Sequence, residues 1–308
     1  YAGGITGYNL GELVDNVSEA ASLATISNSG GSCVMGGITG YNGASGRLEN
    51  CTTGRWSVNN RMTGGAEKFP TGGIIGCNQS VNDLKGLINR AAVSGDWMTG
   101  GIIGLQQTEL RGGFTIEGCE NYGTVTGRIR TAGGIISDWR YQSGRVRECI
   151  NYGKISIENG DSDVGDPSKN ARNAAAGIIG TGWWGGEVSI TVERCGNEGN
   201  IFHSTNSGTN LGKAAGIFGA YNSNSSPLTL TITDCYNAGI IQNEGKDSSA
   251  GIFAGNENSG TIHAKIIRCV NYGNGTNSGN TFAGIAYNTA KNTAWKVDQC
   301  LNVGVCYS

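Results

Sequence analysis

CENYGTVTG occupies residues 119–127 of this chain, and CINYGKISI occupies residues 149–157. Both place cysteine, asparagine and glycine at the same offsets, and Cys-x-Asn-x-Gly returns four more times toward the C-terminus. The cysteines of these copies are Cys119, Cys149, Cys195, Cys235, Cys269 and Cys300. The asparagines are Asn121, Asn151, Asn197, Asn237, Asn271 and Asn302. A motif that recurs along a chain in this way indicates a repeat architecture.

A second element, a Gly-Ile step, recurs nine times at an average spacing of 35 residues. Its isoleucines are Ile5, Ile38, Ile74, Ile102, Ile135, Ile178, Ile217, Ile252 and Ile285. The cysteine motif also has nine copies when its degenerate forms at Val14, Cys51 and Leu87 are included. Two motifs with equal copy number predict nine structural units, each containing one copy of both.

Within a unit the hydrophobic period is two. Val188, Ile190 and Val192 alternate with Ser189 and Thr191, which is typical of a β-strand with one buried face. We predict three short strands per unit, joined by glycine-rich corners. The fold class is then an all-β parallel β-solenoid of about nine coils, each of ~35 residues, over a single domain, residues 1–308. A right-handed β-helix is favoured because left-handed hexapeptide helices have shorter, more uniform coils; a propeller, with about four strands per blade, is the weaker alternative.

Stacking of the coils explains why the same offsets recur in each copy of the motif. Coils ~4.8 Å apart place each inward residue on its counterpart, so asparagine side chains can pass hydrogen bonds along the stack. The glycine beside each asparagine is expected to permit a backbone conformation that a Cβ would forbid. The cysteine is interpreted as a small apolar core residue, since Val14 and Leu87 occupy the same column. Any disulfide among Cys33, Cys77 and Cys306, outside the column, cannot be read from sequence.

Composition excludes several classes of protein. The net charge is −2, without a run of Lys or Arg, so the chain lacks the basic surface of a nucleic-acid binder. No apolar run approaches the ~18 residues of a membrane span. The chain opens on YAGGITG, already inside a repeat, and we interpret it as a portion of a longer protein.

GGIIG followed by CENYGTVTG and CINYGKI resembles the GLUG-motif repeats of bacterial extracellular proteins, along essentially the whole chain. This chain departs from the motif by having Ile where Leu is expected and by irregular spacing. The resemblance implies a secreted or wall-anchored bacterial protein, such as an adhesin or the stalk of a surface peptidase. It implies no catalytic residues.

Aromatic residues gather just after the Gly-Ile step, and Trp139, Trp183, Trp184 and Tyr221 are predicted on three neighbouring coils. An exposed strip of such rings is a candidate platform for a glycan or a host or extracellular protein. The alternative is that these rings cover corners of the core. A second stripe, Tyr122, Tyr152 and Tyr272, is expected to point outward and is explained by strand propensity and packing.

The repeat from Ile135 to Ile178 is 43 residues long, because a loop is inserted at 157–174. Asp161, Asp163 and Asp166 in this loop are candidate calcium ligands, because calcium prefers flexible clusters of oxygen atoms. The EF-hand spacing fails, and a solvated loop with Asp-Gly turns is the alternative. The sequence predicts no cofactor other than this calcium ion.

Carboxylates recur just before the cysteine, and a polar corner explains all of them better than a glycosidase pair. They are Glu49, Glu117, Glu148, Glu193, Asp234 and Asp298. For a polysaccharide lyase, Asp138, Trp139 and Arg140 with the Asp161 loop come nearest to a catalytic cluster. No nucleophile triad, phosphate loop or dinucleotide motif is present, so we predict no enzymatic activity.

The predicted function is a non-catalytic structural or adhesive segment of an extracellular, cell-surface protein. It would act as a stalk or as a binding surface for a glycan or host protein. A polysaccharide-acting lyase or hydrolase is one alternative. A filament subunit that associates end to end is another, because open solenoid ends expose strand edges.

Overall fold

The computed structural model describes most of the 308 residues. The described ranges are 1–19, 25–28, 33–61, 69–107, 113–141, 143–158, 173–183, 187–204, 212–222, 227–245, 247–255, 261–278, 281–287 and 294–307. Within these ranges the regular structure is entirely β-strand. Trp184, Asp161, Asp163 and Asp166 lie outside the described residues, as does most of the predicted loop at 157–174.

The strands form five parallel sheets, and each coil passes through them in the order sheet 1 to sheet 5. Sheet 1 comprises Ala2–Gly3, Met35–Gly36, Thr71–Gly72, Met98–Gly100, Thr131–Gly133, Asn173–Ala176, Gly212–Ala215, Ser249–Ala250 and Phe282–Ala283. Sheet 2 comprises Thr6–Asn9, Thr39–Asn42, Ile75–Asn78, Ile103–Gln107, Ile136–Arg140, Ile179–Trp183 and Phe218–Asn222. Sheet 3 comprises Glu12–Val14, Arg47–Glu49, Leu84–Lys85, Phe114–Glu117, Gly144–Arg147, Val188–Glu193, Leu228–Thr233, Ile262–Ile267 and Ala294–Asp298.

The motif asparagines end the strands of sheet 4. Sheet 4 comprises Val17–Ser18, Thr52–Thr53, Ile88–Asn89, Glu120–Asn121, Ile150–Asn151, Gly196–Asn197, Tyr236–Asn237, Val270–Asn271 and Leu301–Asn302. Sheet 5 comprises Thr25–Asn28, Ser57–Asn60, Ala92–Gly95, Val125–Gly127, Ile155–Ile157, Ile201–His203, Ile241–Asn243, Gly275–Asn277 and Cys306–Tyr307.

The parallel β-solenoid with nine coils is confirmed, but three strands per coil was wrong, since most coils contain five. The Gly-Ile step is not a strand; it is the bend between sheets 1 and 2, as at Gly177 and Ile178. The Cys-x-Asn-x-Gly segment is likewise split, because the chain turns at Gly123 between sheets 4 and 5. Handedness stays a prediction.

The core is the inward column of isoleucines together with sheet 3. Ile38 through Ile252 of the Gly-Ile series are fully buried in one hydrophobic cluster. In sheet 3, Val188, Ile190 and Val192 join the same cluster, as the alternation predicted.

The asparagine column forms the predicted ladder of side-chain hydrogen bonds. Asn121 Nδ2 donates to Asn151 Oδ1 at 2.7 Å, and Asn151 Nδ2 donates to Asn197 Oδ1 at 2.8 Å. The same bond continues through Asn237 and Asn271 to Asn302. Each Nδ2 also donates to the carbonyl of the motif glycine two residues on, for example Asn197 to Gly199 at 2.8 Å. The buried amides are therefore satisfied within the solenoid.

The two sequence motifs meet inside the coil, which explains why both are present. A Cβ placed on Gly177, in the Gly-Ile step, would lie 2.4 Å from Cγ of Asn197. The same contact joins Gly134 with Asn151 and Gly251 with Asn271. Glycine is required at this bend because the motif asparagine fills the space where a side chain would begin.

The glycine after each asparagine allows a close approach of backbones that a Cβ would forbid, as predicted, although its φ is not left-handed. A Cβ on Gly199 would lie 1.9 Å from the carbonyl oxygen of Gly153, and the φ of neither glycine is in the left-handed region. The left-handed residue is instead the one before the cysteine column, such as Glu148 (φ 55°) and Arg194 (φ 51°). The corner therefore places a polar side chain outward at a conformation that is strained for most residues.

The cysteine column is inward and apolar, as predicted. Cys51 and the motif cysteines up to Cys269 are buried, Cys300 is partly buried, and all ten cysteines are free thiols. Burial raises the pKa of Cys77, outside the column, to about 12, so this thiol stays protonated at neutral pH. Cys33, Cys77 and Cys306 are not joined to one another.

We expect Asn197→Leu to lower the free energy of unfolding by about 1–3 kcal/mol. The change removes the acceptor of Asn151 and the donor of Asn237, and leaves the buried carbonyl of Gly199 unpaired. Chemical denaturation followed by circular dichroism measures the effect. Asn302→Leu is the matched control, because this last ladder residue is exposed. Equal losses of unfolding free energy from both variants would argue that burial of the ladder adds no stability.

Candidate functional site

The structure does not bring the four predicted aromatic residues together on an exposed edge. Trp139 and Tyr221 are fully buried. The backbone of Trp183 ends a strand of sheet 2, but its side chain, like all of Trp184, lies outside the described residues. The predicted platform is therefore wrong for Trp139 and Tyr221, and the alternative, that these rings cover the core, holds for them.

The reason is the register of sheet 2. Trp139 pairs with Gln106 in the preceding coil, and this position faces inward. Its ring lies 5.3 Å from the ring of Phe114, over the Cα of Gly144, which leaves room for it. Trp139 is thus a core residue of the hydrophobic cluster.

Sequence reasoning missed a second amide ladder in the same column. Asn9 Nδ2 donates to Asn42 Oδ1 at 2.8 Å, Asn42 to Asn78 at 2.7 Å, and Asn78 to Gln106 Oε1 at 2.8 Å. The ladder ends where Trp139 replaces the amide, and Gln106 Nε2 is left without a partner. The signal was present in the sequence as TGYN at residues 6–9 and again at 39–42.

Asp138 and Arg140, the nearest approach to a lyase cluster, form a buried ion pair. Arg140 donates from Nη2 and Nε to Asp138 Oδ2 at 2.6 and 2.9 Å. The charge of the carboxylate is therefore compensated within sheet 2. Oδ1 of Asp138 is buried without a hydrogen-bond partner.

The recurring carboxylates of the corner are engaged by basic side chains, as a polar corner predicts. Glu117 accepts from Arg147 at 2.8 Å, and Asp234 accepts from Arg268 at 2.6 Å. These arginines lower the pKa of Glu117 and of Asp234. A glycosidase acid needs the opposite shift, toward higher pKa.

A calcium site at Asp161, Asp163 and Asp166 stays a prediction because these residues are not described. In the part of the chain that is described, no group of three or more His, Cys, Asp or Glu side chains is arranged to hold a metal ion. No helix capable of crossing a membrane occurs in that part either.

The tyrosine stripe points outward, as expected from the alternation. Tyr122 and Tyr272 are exposed, and the rings of Tyr122 and Tyr152 stack with centroids 4.6 Å apart and planes at 8°. Arg90 occupies the same column one coil earlier, with its Cζ 5.6 Å from the centroid of Tyr122. Tyr122 donates its hydroxyl to Glu120 at 2.8 Å, which raises the pKa of Tyr122 to about 12.

Beside this column lies an open cleft of about 690 Å³, which we name the arginine–tyrosine cleft. It crosses three coils at the junction of sheets 4 and 5. Its lining residues are Arg55, Trp56, Arg90, Ala92, Tyr122, Gly123 and Thr124. Sequence reasoning missed it because Arg55, Arg90 and Tyr122 are separated by about one repeat each and are not fixed residues of either repeated motif.

His203 is the last residue of its sheet 5 strand, and its side chain is fully buried. Both ring nitrogens lack a hydrogen-bond partner, and burial lowers the pKa of His203 to about 4. The ring occupies the space that a side chain at position 212 would fill, so only glycine fits there. Nearby, buried Lys213 donates to Asp247 at 2.8 Å. The imidazole is therefore neutral in the folded protein at physiological pH.

We expect His203→Asn to remove an acid-sensitive component of stability. The folded pKa lies below the unfolded value of about 6.5, so only the unfolded state takes up this proton between pH 6.5 and 4, and stability falls as pH falls through that window. Asparagine fits the column, since Asn243 and Asn277 occupy the same register position. Unfolding free energy measured at pH 7.5 and 4.5 should drop on the order of 2 kcal/mol less in the variant than in the parent. Parallel pH dependence in both proteins would contradict the assignment.

Comparison of the chain with protein-family models, with curated proteins and with solved structures gives no match in any of the three. The likeness to GLUG-motif repeats therefore stays a prediction that depends on the quoted repeat residues.

Proposed function

We propose that this chain is a non-catalytic, rigid segment of a secreted or wall-anchored bacterial surface protein. It holds other parts of that protein away from the cell and presents its side as a binding surface. The observation that supports the rigid role is the continuous amide ladder, which runs from Thr53 and Asn89 to Asn302. Every coil along this path is tied to the next by a side-chain hydrogen bond as well as by backbone pairing, and all of these bonds except the last are buried.

The physical reason is that a solenoid extends by repetition. Each coil contacts only its neighbours, so coils add length without changing the packing of the others. At ~4.8 Å per coil, nine coils give a rise of roughly 43 Å. The extracellular location is supported by the resemblance of the repeats to those of bacterial surface proteins.

An adhesive role is the second candidate and is favoured by the arginine–tyrosine cleft. The cleft is exposed on the side of the solenoid, and its volume of about 690 Å³ is in the range that accommodates small ligands. Its position between the ends leaves the stacking of coils undisturbed when a ligand binds.

Antibody labelling of the source cells tests the location. We expect a serum raised against this chain to label intact cells, with labelling lost after brief surface proteolysis. Labelling that requires permeabilised cells would overturn the proposal. Release of reducing or unsaturated sugars from polysaccharide would favour the enzyme alternative, and a molecular mass that grows with concentration would favour the filament.

A further inference from the structure

The two arginines of the cleft differ from those on the opposite side of the sheet 4 strands. The arginines of the corner before the cysteine column each pair with a carboxylate; they are Arg47, Arg147, Arg194 and Arg268. Arg55 and Arg90 are exposed, and neither forms an ion pair with any carboxylate in the described ranges. Two arginines without a carboxylate partner among the described residues thus line one cleft, and the guanidinium of Arg90 lies over the ring of Tyr122.

The remaining walls of the cleft are aromatic and small. Trp56 is almost fully buried, with its Nε1 donating to the carbonyl of Ser18 at 2.9 Å, so its position is fixed. Tyr122 is 45% exposed and is held by its stack on Tyr152 and its bond to Glu120. Ala92 and Gly123 also line the cleft and carry little or no side chain. The cleft is therefore preformed and cationic, with a rigid aromatic edge.

This combination selects a class of ligand. Guanidinium groups bind carboxylate and sulfate oxygens through paired hydrogen bonds, and the exposed edge of Tyr122 gives a rigid apolar contact for a ring-shaped ligand. A peptide that binds by adding a strand is excluded, because the strands on both sides of the cleft are already paired with neighbouring coils. A nucleic acid is disfavoured by the net charge of −2.

We infer that the arginine–tyrosine cleft binds an acidic oligosaccharide. Arg55 and Arg90 bind its carboxylate or sulfate groups, and a sugar ring contacts the exposed edge of Tyr122, because the two faces of that ring are covered by Arg90 and Tyr152. The inference deepens the adhesive part of the proposed function and does not depend on the rigid role. A chain that labels intact cells but binds no acidic sugar retains its function as a spacer.

Isothermal titration calorimetry at low ionic strength tests the inference. The probes are tetragalacturonic acid, its methyl ester, which has the same rings without the charge, sulfated maltotetraose, and tetraglutamate as an acidic peptide. We expect the carboxylated or the sulfated probe to bind and the ester to bind at least about tenfold more weakly. The stronger of the two charged probes identifies the acidic group. Added salt should weaken binding, because the cleft is exposed to screening.

Matched variants locate the binding site. Arg55→Gln/Arg90→Gln and, separately, Tyr122→Ala should each weaken binding about tenfold or more. Arg194→Gln, which changes a paired corner arginine, and Tyr272→Ala, which removes an exposed tyrosine from the same column, should leave affinity unchanged. Thermal melting of every variant shows whether the solenoid is intact.

Four results would overturn the inference. They are equal binding of the ester, equal losses in the control variants, tighter binding of tetraglutamate at the same residues, and no binding of either charged probe at millimolar concentration by folded protein. Tighter binding of tetraglutamate would assign the cleft to an acidic peptide instead.

Discussion

Gly177→Ala is expected to lower the free energy of unfolding by about 3 kcal/mol, at the upper end of the usual cost of overpacking. The new Cβ would lie 2.3 Å from the carbonyl oxygen of Gly216 and 2.4 Å from Cγ of Asn197. The first contact is with backbone of the next coil, which cannot move without breaking parallel pairing. The second displaces a member of the amide ladder. The midpoint of chemical denaturation, followed by circular dichroism, measures the loss.

Gly113→Ala is the matched control. Gly113 is exposed, and a Cβ built on it would meet nothing within 4 Å. We expect this change to be neutral or slightly stabilising, because alanine reduces the freedom of the unfolded chain. If the two variants unfold at the same denaturant concentration, the contact between the Gly-Ile step and the asparagine column is looser than the structure shows.

The inward columns could be predicted from the sequence because a solenoid repeats one environment nine times. A buried amide such as Asn151 has a partner only if the neighbouring coils also supply an amide. Each copy of the motif therefore carries the asparagine. The same logic identifies the second ladder, since TGYN occurs twice before Asn78 and Gln106 continue it. Positions that repeat are therefore visible without a structure.

Features that depend on spacing within a coil could not be predicted. Three strands were expected instead of five because the bends at Gly123 and Gly177 result from close contact between backbones, which leaves no hydrophobic signal of its own. Trp139 was misplaced for a related reason. The offset of Trp139 from the Gly-Ile step predicts a position on an outer edge, whereas its pairing with Gln106 places it in an inward column.

The cleft was invisible because it is built from non-repeating residues. Tyr122 and Arg90 share a column, but Arg55 belongs to a coil that has one additional residue between Thr53 and Val58, relative to the segment from Asn89 to Val93. That insertion places Arg55 beside Trp56 at the junction of sheets 4 and 5. The proposed binding surface lies where the repeat departs from its own pattern, and the register between coils shows which of these departures are adjacent.

Trp139→Ala is expected to lower the free energy of unfolding by about 3–5 kcal/mol, the usual cost of truncating a fully buried tryptophan. The ring fills the space over Gly144 and contacts Phe114, so its removal leaves a cavity inside the central coils. Thermal and chemical denaturation measure the loss, and Tyr272→Ala, an exposed aromatic residue, should cost little by comparison.

The same variant separates a packing role from a binding role. If Trp139 acts only in the core, Trp139→Phe should recover much of the stability, because a smaller cavity remains. Binding of acidic sugar by folded Trp139→Phe should equal that of the parent, since the cleft lies on a different face. A variant that is as stable as the parent but has lost ligand binding would show that Trp139 reaches the surface, and the exposed aromatic edge would then be the better account of this protein.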